Sequence, residues 1–257
     1  MVEALFWPAL LGYGEAAFAY ASVRTSRAGT WGVRLGWLAQ TALLAVQAVR
    51  TDGFPWWSWA GSLNLFVWLV VGAYLIWGCK PRYRLLGLTV MPLAAVLFVV
   101  ARIGGGTHAG HRDSYGALFL VLHVGFVLAA FAGFTLAAAL SGLYVWQERR
   151  LRTRPATVLR RQMPALAPLD SLALRTVAWS VPLLTLGAAV GLVRLVARGE
   201  RLDALIAVTV VTWLVWCAYL GLRLGGGWTG RRAAYVALAG FVLVIVVRLA
   251  LPATHFA

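Results

Sequence analysis

Apolar runs of about 20 residues recur along the chain with short polar breaks between them. A helix of that length, at ~1.5 Å rise per residue, matches the hydrocarbon thickness of a bilayer. Eight segments are predicted, at 3–23, 31–49, 58–79, 85–103, 116–146, 174–196, 203–223 and 233–251. The pattern implies an all-α fold: a polytopic integral membrane protein with about eight transmembrane helices, residues 1–257 forming a single helical domain. The second segment is the weakest, because Arg34, Gln40 and Gln47 interrupt it, while its Trp31 and Trp37 suit a membrane interface. The fifth is longer than a bilayer needs, so Tyr144–Arg152 is expected to project beyond it. The first segment has no basic region before it and no clear small-residue cleavage site after it, so it reads as a retained helix. No internal repeat stands out.

Composition agrees with the pattern. The chain is 61% hydrophobic and 12% charged, too little polar surface for a water-soluble fold of this size. Its net charge of +15 would suggest nucleic acid in a soluble protein. Here it reads instead as the positive-inside rule, and no nucleic-acid partner is expected. Lys and Arg concentrate in one set of alternate loops, which holds Arg24, Arg27, Arg82, Arg84, Arg149, Arg150, Arg152, Arg154, Arg160, Arg161, Arg231 and Arg232 among others. The opposite set holds fewer than half as many, including Arg102, Arg112, Arg194, Arg198 and Arg248. The first set is therefore placed in the cytoplasm, and both termini on the outer side of the cell membrane. The longest loop, 147–172, is basic and contains Pro155, Pro164 and Pro168. It reads as a topology-setting loop, or else as a docking surface for protein partners or anionic lipid. Cys79 and Cys217 are not in a CxxC pair and read as packing residues.

All four histidines, His108, His111, His123 and His255, fall on the outer side of this topology. His123 and His255 come from separate helical segments, and two such imidazoles are a candidate axial pair for haem iron. Arg102, Arg194 and Arg248 lie on the same side and suit haem's two carboxylates, because a planar guanidinium matches a carboxylate fork. His123 also reads equally well as a packed, hydrogen-bonded histidine about eight residues into its span. His108 and His111 are three apart in a glycine-rich loop, a pair of solvated histidines or two of the ligands a metal needs. Trp56, Trp57 and Trp59 read as an aromatic belt, or as a platform for a flat porphyrin. Glu15 lies mid-span, with Arg34, Gln40, Gln47 and Asn64 as candidate partners in an intramembrane hydrogen-bond network or an ion path. No nucleotide-binding glycine motif, HExxH, GxSxG or CxxCH occurs.

Several stretches, taken in order, resemble one family. They are Leu122-His123-Val124 with Gly125–Phe134, then Met163-Pro164-Ala165-Leu166 with Leu169-Asp170 and Arg175. Leu184-Thr185-Leu186-Gly187 through Gly191, Trp228-Thr229-Gly230-Arg231-Arg232-Ala233-Ala234, Gly240-Phe241 and Thr254-His255-Phe256 follow. Together they resemble the cytochrome c assembly superfamily, the CcsA-like and HemX-like membrane proteins. The resemblance implies a haem-handling membrane protein. By motif match, it places the family's haem-ligating histidines at His123 and His255. The family's synthases also carry a tryptophan-rich "WWD" segment between the helices matching spans six and seven. Here Val193–Leu205 fills that place without a tryptophan. The HemX-like branch also lacks that segment, so the chain fits that branch better.

The expected function is therefore a membrane haem-binding or haem-handling protein linked to cytochrome c biogenesis or to control of haem synthesis, holding haem b at an outer bis-histidine site. Haem, other assembly or haem-synthesis proteins and the lipid bilayer are its expected partners. With no catalytic motif, a non-enzymatic role is favoured. Two alternatives stand beside it: a subunit of a cytochrome c haem lyase complex, and a small-solute transporter working through Glu15 and the glutamines of the second span.

Overall fold

The computed structural model describes residues 2–21, 26–50, 58–77, 84–107, 117–153, 166–198 and 204–250. These contain eight helices: α1 (Val2–Ala21), α2 (Ser26–Arg50), α3 (Trp59–Trp77), α4 (Arg84–Ile103), α5 (Ala117–Thr153), α6 (Leu166–Arg198), α7 (Ala204–Leu224) and α8 (Arg231–Ala250). Five of them, α3 to α7, contain stretches long and apolar enough to cross a membrane. The chain is an all-helical, multi-pass membrane protein. It divides into two compact units, one carrying α1–α4 and one running from Val121 through α5–α8.

The predicted loop 147–172 is mostly helix. α5 continues to Thr153 and α6 starts at Leu166, so only 154–165 lies between them. Leu169, Leu172, Ala173 and Val177 are buried at helical spacing and draw the start of α6 onto the core. Pro168 sits in the first turn, where a missing N–H breaks no helical bond.

In the first unit, α1 and α2 cross almost backbone on backbone. A Cβ placed on Gly12 would lie 2.7 Å from the Gly32 carbonyl oxygen and from the Gly36 Cα. Small residues permit such a crossing where lipid supplies no hydrophobic drive between helices. Ser58 caps α3 by accepting from the Gly61 amide at 2.9 Å. α4 ends in a Schellman turn: the Gly106 amide donates to Ala101 and the Gly105 amide to Arg102, with Gly105 at φ 83°.

In the second unit the core gathers Ala130, Phe134 and Ala137 of α5, Val177, Val181 and Leu184 of α6, Trp216 and Tyr219 of α7, and Ala233 and Ala237 of α8. The Phe134 and Trp216 rings stack with centroids 4.4 Å apart and planes 3° from parallel. α5 and α6 run antiparallel with small residues at the crossing. Gly133 packs on Ser180, Gly187 on Val127 and Gly191 on His123. Cys217 packs at the margin of this core, as a packing residue would; Cys79 lies outside the described residues.

Candidate functional site

His123 sits in the second turn of α5, partly buried against α6. Its Nδ1 lies 2.7 Å from the Gly187 carbonyl oxygen. A carbonyl can only accept, so Nδ1 carries the proton. In the neutral ring the lone pair is then on Nε2. Metal-bound histidines have this arrangement: one nitrogen donates to a carbonyl while the other faces the metal. The observed hydrogen bond fits both readings left open by the sequence, since a packed histidine also needs a partner. Of the two, only ligation needs an Nε2 lone pair.

Arg194 lies on α6 one turn beyond Gly191, with its Nε shielded from solvent. Arg248 lies near the end of α8. His255, His108, His111, Trp56 and Trp57 lie outside the described residues. Arg102 belongs to the first unit, where its guanidinium stands over the Phe6 ring, 5.7 Å from the centroid. Among the described residues, no group of three or more His, Cys, Asp or Glu side chains could hold a metal.

A second constellation lies at the other end of the same unit. Arg223 of α7 is buried and grips Asp170 of α6 in a fork. Nη1 donates to Oδ1 at 3.1 Å and Nη2 to Oδ2 at 3.0 Å. Nη1 also donates to the Trp228 carbonyl at 2.9 Å, and the Gly230 amide donates to Asp170 Oδ1 at 3.2 Å. One buried ion pair thus ties α6 and α7 to the turn that starts α8. Gly230, at φ 64°, also lies against the Tyr144 hydroxyl, where a Cβ would come within 2.8 Å. The Leu169-Asp170 and Trp228–Ala234 stretches, far apart in sequence, are two halves of this one knot. In the sequence Arg223 is one basic residue among many at the helix ends. Nothing in its local sequence marks it as the partner of Asp170.

The expected polar network is present in the first unit with Gln40, Gln47 and Asn64 as members, but with Tyr13 in it and Glu15 and Arg34 outside it. The Tyr13 hydroxyl donates to Gln40 Oε1, and Gln40 Nε2 donates to Asn64 Oδ1 at 2.8 Å. Asn64 Nδ2 and Gln47 Nε2 both donate to the Gly106 carbonyl at 3.2 Å. Glu15 takes no part. It faces outward from the unit, and Arg34 is likewise exposed, its guanidinium over Trp31. The position of each residue on the helix decides membership: Tyr13 faces α2, and Glu15 is two residues round the turn. Trp37 and Trp68 stack alongside, 5.1 Å between centroids, and donate to the Trp68 carbonyl and the Thr41 hydroxyl respectively. The network is a satisfied amide lattice holding α1, α2, α3 and the Gly106 turn together. Gln40, Gln47 and Asn64 were its signals in the sequence; Tyr13 and the Gly106 carbonyl carried none.

No solved structure matches the chain. Among curated proteins it is similar to "Cytochrome c biogenesis protein CcsA" of Guillardia theta, 27% identical over 231 residues covering 79% of this chain and 75% of that one. The protein of the same name from Picosynechococcus sp. is 25% identical over 303 aligned positions, covering 94% of this chain and 89% of its own. That alignment is longer than the present chain, so the relative carries residues this chain lacks. A third, from Microcystis aeruginosa, is 26% identical over 269 positions, covering 85% and 82%. The family model described as "Cytochrome C assembly protein" matches residues 56–252, which include the whole His123–Gly187 contact and the Asp170–Arg223 knot. The chain belongs to the cytochrome c assembly protein family.

Proposed function

We propose that this protein handles haem in cytochrome c biogenesis, in the cell membrane, with eight spans and both termini outside. The observation that carries the reading is the His123 imidazole: Nδ1 donates to the Gly187 carbonyl, the kind of bond that orients a metal-binding histidine. His255 would be the second residue to hold the iron. Arg194 and Arg248, on the same unit of the chain, are the proposed partners for the carboxylates. Haem b would supply redox-active iron, and α5 and α6 would fix one of its ligands. Val193–Leu205 contains no tryptophan. This supports holding or sensing haem, as in the HemX-like branch, over attaching it to an apocytochrome.

The test is optical. The detergent-purified chain, expressed with haem supplied, is expected to show a low-spin b-type reduced-minus-oxidised spectrum. His123→Ala and His255→Ala lose that signal, and His108→Ala keeps it. A wild-type chain without the signal, or a His123→Ala chain that retains it, overturns the ligand assignment.

A further inference from the structure

We infer that Gly187 and Gly191 are positioning residues, which hold His123 as its Nδ1–H tautomer and so make Nε2 the unprotonated nitrogen of the ring. The argument begins with the Gly187 carbonyl. Inside a helix such an oxygen already accepts an amide from the next turn, and the side chain four residues on normally covers its other lone pair, because helical side chains lean toward the N-terminus. That residue is Gly191, which has no side chain. The second lone pair is thereby open to α5, and His123 Nδ1 occupies it at 2.7 Å.

The fit is tight. A Cβ on Gly191 would stand 2.6 Å from His123 Cε1 and 2.9 Å from Nδ1, yet 3.6 Å from Nε2. The ring thus lies with its Cε1–Nδ1 edge against Gly191, and Nε2 is the next nearest ring atom. Gly187 sets the approach of the helices themselves. A Cβ there would meet Val127 Cγ2 at 2.8 Å and the Val127 backbone nitrogen at 3.1 Å. The two glycines therefore do different things: Gly187 brings α5 close enough for the hydrogen bond, and Gly191 leaves the space in which the ring makes it. Neighbouring Gly125 is a contrast, since nothing lies within 4 Å of a Cβ built on it.

Only the role of Nε2 as an iron ligand rests on the haem reading; the tautomer and its cause stand on the apoprotein. The experiment is therefore ¹⁵N NMR of the full, haem-free chain labelled at histidine, in detergent, with His123→Gln assigning the signal. Wild type is expected to show a protonated, pyrrole-type Nδ1 and an unprotonated, pyridine-type Nε2. Gly191→Ala is expected to lose that single-tautomer signature, and Gly125→Ala to retain it. With haem added, Gly191→Ala should bind about 10- to 100-fold more weakly, the usual cost of losing the hydrogen bond that orients a metal ligand. An Nε2–H tautomer in wild type overturns the inference, and so does a Gly191→Ala chain with an unchanged signature. Should Gly191→Ala fail to fold, the wild-type tautomer alone decides. Wild type with the Nδ1–H tautomer and no haem spectrum leaves the lock standing and overturns the haem reading instead.

Discussion

Arg223 shows how much a single side chain can carry in this protein. Its guanidinium is forked onto Asp170 and also reaches the Trp228 carbonyl. Removing it leaves a mostly buried carboxylate without its cation, a change that typically costs about 3–5 kcal/mol. Arg223→Ala is expected near the lower figure, because the Asp170 side chain keeps 19% exposure. Thermal unfolding of the detergent-solubilised chain measures it. Arg223→Lys should recover only part of the loss, since an ammonium cannot reproduce the fork. Asn64 plays the corresponding part in the first unit. Asn64→Leu removes a donor from the Gly106 carbonyl and an acceptor from Gln40, and is expected to destabilise by about 1–3 kcal/mol in the same assay. His123 was legible in the sequence as a buried imidazole of consequence. Its tautomer was not, because the acceptor lies 64 residues away on another helix.

At the level of elements, glycine spacing and aromatic stacking decide which helices meet. Gly36→Ala would put a methyl 3.0 Å from the Ala9 carbonyl oxygen and the Tyr13 ring. It should loosen the α1–α2 crossing at a cost of about 1–3 kcal/mol, the usual range for overpacking. Gly14→Ala on α1 meets nothing within 4 Å and should leave stability unchanged. The same unfolding assay separates the two. Trp216 is buried against Phe134, and Trp216→Ala is expected to cost about 3–5 kcal/mol. The helices themselves were readable from the apolar runs, with most boundaries within a few residues. The largest departure was the start of α6, at Leu166 instead of 174, beside α5 running on to Thr153 past 146 and α2 starting at Ser26 instead of 31. Arg175 and Asp170 made that stretch look like loop, whereas Asp170 is neutralised by Arg223 and the turn packs through Leu169 and Leu172.

For the whole molecule, charge asymmetry sets the proposed orientation. In a chain with Cys79 and Cys217 replaced by Ser, a reporter at Ala253→Cys should react with a membrane-impermeant maleimide in intact cells. One at Thr157→Cys should react only after lysis, and the reverse pattern would overturn the topology. The sequence by itself determined that this is a helical membrane protein and where its helices lie, because lipid demands long apolar runs wherever the helices later pack, and its ordered motifs carried the family. Only the tertiary structure decided which polar residues meet. It left Glu15 out of the network that takes in Tyr13, Gln40, Gln47 and Asn64, and it paired Asp170 with Arg223. It also gave His123 the Gly187 carbonyl to bond and the bare Gly191 to lie against. The physical reason is that hydropathy is a property of single segments, whereas a hydrogen bond between helices depends on the rotation and approach of two, which in this bundle the small residues at the crossings permit.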